Sequence, residues 1–74
     1  MITVDANIYI SAWEFGGIPL RLLRLAVEGD LEIAISQAIL NEVLRILRDK
    51  FGRSSERVAE VEAWIAGFTR MVEP

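Results

Sequence analysis

Asp5 and Glu42 are the two residues whose types and positions could do chemistry together. Asp5 ends a short run of β-formers, Ile2, Thr3 and Val4, so the spacing predicts a buried strand that finishes in a carboxylate. Glu42 falls a turn into a helical stretch that follows a second apolar run, Leu31 to Ile35. If the two strands are parallel, both acids come near the carboxyl edge of the sheet, where open α/β sheets bind their ligands. Two carboxylates held close repel, and sharing a proton or binding a divalent cation relieves the repulsion. A magnesium ion needs few protein carboxylates. It can orient or deprotonate a water and stabilise charge on a phosphate oxygen, which is the chemistry of phosphodiester hydrolysis. With eleven acidic residues in the chain, such a pair is not specific by itself. Asp5 also has a simpler role open to it, as an N-cap whose carboxylate accepts backbone N–H bonds from the helix that follows.

Composition narrows the chemistry further. The chain has 74 residues, 53% of them hydrophobic, and neither cysteine nor histidine. Disulfides, thiolate and imidazole nucleophiles and the usual zinc ligands are therefore excluded. A bound metal would be hard and oxygen-liganded, magnesium or manganese. The formal charge of −3 gives no general attraction to nucleic acid, although a local basic patch stays possible. No run approaches the length of a membrane span, and no basic region precedes the first apolar run, so the expected location is cytoplasmic and away from membranes.

The elements that would position these acids are short. Ala6 to Ala12 can form a turn of helix, and Gly16 and Gly17 make a bend. Pro19 suits the first turn of a leucine-rich helix that runs to Glu28 and stops at Gly29. Arg21 and Arg24 on that helix read as a solvated outer face, with contact to a phosphate backbone as the other option. Leu31 to Ile35 is the second strand, and a strand–helix–strand order implies a right-handed crossover and a parallel pair. Ser36 is placed to cap the helix Gln37 to Lys50, whose apolar stripe is Ile39, Leu40, Val43, Leu44, Ile46 and Leu47. At 100° per residue Glu42 lies about 40° beyond Ile46, at the edge of that stripe. Ser54 or Ser55 caps a further helix with Val58, Val61, Trp64, Ile65 and Phe68 on its buried face. Trp64 there reads as core. Met71 and Val72 can begin an extended stretch. The expected fold is α/β, with two parallel strands and about three main helices. Apolar helix faces for both sides of the sheet imply three layers, and a doubly covered sheet normally has more strands.

Taken as an ordered set, VDANIYISA, the FGGIP bend, LEIAIS, QAILNEVLRILRDKFG and the closing MVEP resemble the N-terminal part of a PIN domain. That is the metal-dependent nuclease fold of many bacterial and archaeal toxin–antitoxin toxins. The resemblance covers nearly the whole chain. It implies that Asp5 and Glu42 are the first two catalytic, metal-binding acids, with Asn7 and Ser36 supporting them. It implies magnesium or manganese as cofactor, RNA as substrate and an antitoxin protein as partner. A PIN domain is normally nearly twice this long, and the second half supplies further acids and strands. Asp49, Glu60, Glu62 and Glu73 do not match those positions. Two acids would hold the metal weakly. The expectation is thus either an endoribonuclease toxin with part of its active site in this chain, or an inactive, truncated module that self-associates to cover an incomplete sheet.

Overall fold

The computed structural model describes residues 1–72. Its elements run β1 (Ile2–Thr3), α1 (Ala6–Phe15), α2 (Gly17–Val27), β2 (Ile33–Ile35), α3 (Gln37–Asp49), α4 (Ser55–Phe68) and β3 (Thr69–Met71). The strands form one parallel sheet in the order β1-β2-β3. This is a small α/β domain with three strands and four helices. Residues 73 and 74, the end of MVEP, lie outside the described residues.

Two expectations about element number are corrected. Among the described residues the sheet has three strands rather than two. The Thr69 backbone turns extended (φ −113°, ψ 161°), and its hydroxyl donates to the Ile65 carbonyl at 2.7 Å, ending α4. β3 then pairs with the free side of β2, with Ile33, Ala34 and Ile35 opposite Thr69, Arg70 and Met71. Periodicity over three residues is too short to announce such a strand; the partner strand supplies the reason for it. The second correction concerns α1, which extends beyond Ala12 to Phe15 and makes a fourth helix. Its extra turn is held from outside: the Trp13 and Trp64 rings lie 5.5 Å apart, and Glu14 pairs with Arg53. Gly16 closes the helix at φ 71°, a conformation that costs a glycine nothing, and its N–H donates to Ser11 and Ala12 carbonyls.

The expected three layers are also revised, to two among the described residues. α1 packs on α2 and α3, α3 packs on α4, and α2 meets α4, so the helices share one layer. Both crossovers step in the same direction along the sheet, and right-handed connections of that kind place their helices on the same face. The shortest dimension, 18 Å, leaves room for one helix diameter above a sheet.

Ile33 and Ile35 of β2 point into this layer and join Tyr9, Leu23, Val43, Leu47, Val61 and Ile65 in the core. Ala34 alternates to the other face, in a row Thr3–Ala34–Arg70 whose outer members are exposed. Trp64 is core, as expected, packed against Trp13 and Phe68. No helix among the described residues is long and apolar enough to cross a membrane.

Candidate functional site

The parallel pairing of β1 with β2 brings the residues that follow them to one edge. Asp5 leaves β1 and Ser36 leaves β2. Together they line a cleft of about 380 Å³ whose other walls include Thr3, Ala34, Ile39 and Val72. The two are differently employed. Ser36 caps α3, its Oγ accepting from the Ile39 N–H at 3.2 Å. Asp5 stands at the N-cap position of α1 with the extended backbone of a cap (φ −67°, ψ 152°), yet its carboxylate makes no capping hydrogen bond. The capping role that the sequence offered Asp5 is therefore filled by its backbone alone. Its carboxylate has no hydrogen-bond or ion-pair partner among the described residues and is exposed at the cleft.

Glu42 and Asn7 are both exposed and neither lines that cleft. For Glu42 the reason is the rotation of α3. The fully buried residues are Leu40, Val43 and Leu47, while Ile39, Leu44 and Ile46 are half-buried flanks. Measured from the centre of the buried trio, Glu42 lies about 130° round the helix. All six apolar residues of the stripe are buried or packed on the core, and Glu42, about 40° beyond Ile46, lies outside them. Asp49, Glu60 and Glu62 are exposed as well. Among the described residues, no three acidic side chains gather in a way that could hold a metal ion. Of the residues that the sequence assigned to the metal and its support, the cleft thus gathers Asp5 and Ser36 and not Glu42 or Asn7.

A second cleft, about 290 Å³, opens between Trp13, Glu14, Arg53 and Arg57. It holds a two-point polar contact between Arg53 and Glu14. Arg53 Nε donates to one oxygen of Glu14 at 2.8 Å, and Arg53 Nη2 donates to the other. The Glu14 side chain is only 5% exposed. The hydrogen bond from Arg53, and secondarily its charge, hold the Glu14 carboxyl below the usual glutamate range. Arg57 is engaged with Glu60 at 3.1 Å. The charges here are neutralised internally, so the cleft works as a clasp between the end of α1 and the turn before α4. Sequence had no means of finding it, because its partners are 39 residues apart.

Tyr9 is fully buried, with its hydroxyl unpaired among the described residues and its ring 6.5 Å from Phe68. Burial pushes the phenol up to about 12, so it stays protonated and inert as an acid or base at neutral pH. Comparisons with family models, with curated proteins and with solved structures find no match to this chain.

Proposed function

We propose that this chain is a protein-interaction module that associates with itself through its open sheet. The observation that carries this reading is the sheet's outline. β1 is an edge strand, and Met1 before it and Ile2 within it are 61% and 42% exposed. A parallel sheet ordinarily lies inside a protein with both faces covered. Here one helix layer covers one face, and the row Thr3–Ala34–Arg70 on the other has exposed outer members. An unpaired edge of this kind is a template for another strand. Light scattering and native mass on the 74-residue chain test the reading over roughly 1 µM to 1 mM, the range expected for small interfaces. A monomer–dimer equilibrium is expected. A monomer across that whole range would end it.

One specific observation favours a second reading, the metal-dependent, PIN-type endoribonuclease toxin with RNA as substrate and an antitoxin as partner. It is the free carboxylate of Asp5 beside Ser36 at the carboxyl edge of the strands. On this reading the chain contributes part of a site that holds magnesium or manganese. Titration with Mn²⁺ followed by calorimetry, with an RNA cleavage assay alongside, separates the two readings. The nuclease reading expects binding that Asp5→Asn lowers at least about tenfold, since the substitution removes the charge and little volume. Cleavage by the wild-type chain, lost in Asp5→Asn, would establish it. Neither binding nor cleavage would leave the module.

A further inference from the structure

We infer that the partner on the sheet is a second copy of this chain, joined through β1 in an antiparallel pair centred on Thr3. The inference rests on the module reading and names its contact. The Ile2 N–H donates to the Glu32 carbonyl at 3.0 Å, so Ile2 turns its backbone groups toward β2. In a parallel ladder alternate residues face alternate sides, which leaves the N–H and C=O of Thr3 directed at the open side. A two-fold axis through Thr3 lets the two copies of that residue exchange both N–H···O=C bonds as one hydrogen-bonded pair.

The side chains are self-complementary in that register. Thr3 meets Thr3 of the copy on the outer face, a favourable cross-strand pair. On the helix-covered face Ile2 meets Val4 of the copy, and Val4 meets Ile2, so symmetry repeats the contact and covers the exposed Ile2 of each chain. Asp5 of each chain lies opposite Met1, so no like charges oppose one another. The other edge is different. β3 carries the exposed Arg70 at its middle residue, while the backbone groups on its open side belong to Thr69 and Met71, since the Val72 N–H donates to the Ile35 carbonyl at 2.9 Å. A charge in the middle of an edge strand is a common guard against such pairing. β1 carries no such charge between Met1 and Val4, and the two-fold through Thr3 closes the assembly at a dimer with a six-stranded sheet.

The test uses a charge swap at the axis, read by native mass and light scattering, with far-UV circular dichroism confirming the fold. Thr3→Glu and Thr3→Lys each set like charges at the axis and are expected to raise the dimer dissociation constant at least about tenfold. An equimolar mixture of the two variants is expected to recover dimers containing one chain of each. That recovery occurs only if position 3 of one chain faces position 3 of the other. Arg70→Glu, on the opposite edge, is expected to leave the dimer unchanged. If the wild-type chain dimerises but the Thr3 variants do so equally well alone and mixed, the β1 contact is wrong while the module reading stands. If the wild-type chain is monomeric throughout, the module reading itself falls.

Discussion

Tyr9 shows how a single buried atom sets both chemistry and stability. Its ring fills the core, but its hydroxyl has no partner among the described residues, and burial drives the phenol up to about 12. Deprotonation is therefore not available near neutral pH. A buried polar group without a hydrogen bond costs on the order of 1–3 kcal/mol. Tyr9→Phe keeps the ring and removes the oxygen, so thermal or urea unfolding is expected to show equal or greater stability, by up to about that amount. A clear loss of stability would mean that the hydroxyl makes a contact in solution. Asp5 teaches the converse. A residue of the right type at an N-cap position need not spend its side chain there, and a free carboxylate at the end of a strand is what a ligand-binding role would require.

At the scale of elements, the Glu14–Arg53 clasp joins α1 to the turn before α4 across 39 residues. The carboxylate is covered and its proton affinity lowered by Arg53, which gives the clasp a pH dependence. On acidification the unfolded state takes up the Glu14 proton first, because its carboxyl has the ordinary, higher value. The clasp's contribution is thus fully present above the usual glutamate range and fades as pH falls through the lower, folded value. Glu14→Gln keeps the shape and removes the charge. Melting temperatures are expected to drop at pH 7 relative to wild type and to converge with it toward pH 3. A constant gap across that range would show that the charge is not what matters. The same clasp, with the Trp13–Trp64 contact, is why α1 runs to Phe15 when its own sequence supports one turn only.

For the whole molecule, the decisive feature is the ratio of helix to sheet. Four helices share one layer over three short strands, and a chain of this size leaves much of its surface exposed. If two copies join through β1, folding and association are linked, and the melting temperature is expected to rise with protein concentration. Scanning calorimetry over a hundredfold concentration range measures this directly. An invariant melting temperature would argue for an independent monomer.

Several features were legible in the residues themselves. The β-formers at Ile2 and Thr3, the apolar run ending at Ile35, the cap at Ser36, the cap expected at Ser54 or Ser55 and found at Ser54, and the stop at Gly29 are local devices that occur where their chemistry placed them. The first strand, expected to be buried, is an exposed edge because nothing among the described residues pairs with its outer side. The parallel pairing of the first two strands followed from the helices between them, because a crossover leaves that as the natural outcome. What local pattern could not decide were quantities set by partners distant in the chain. The third strand exists because β2 has a free side. The position of Glu42 depends on which half of the α3 apolar residues turns fully inward, and packing against the neighbouring elements chooses that rotation. Whether Asp5 spends its carboxylate on a cap is likewise fixed by side-chain geometry that spacing does not carry. Sequence alone determined the kinds of element and their order, since these rest on period, propensity and turn chemistry. Tertiary structure alone decided how many strands join, which faces stay open and which acids meet, since these depend on contacts between residues that the chain brings together only when it folds.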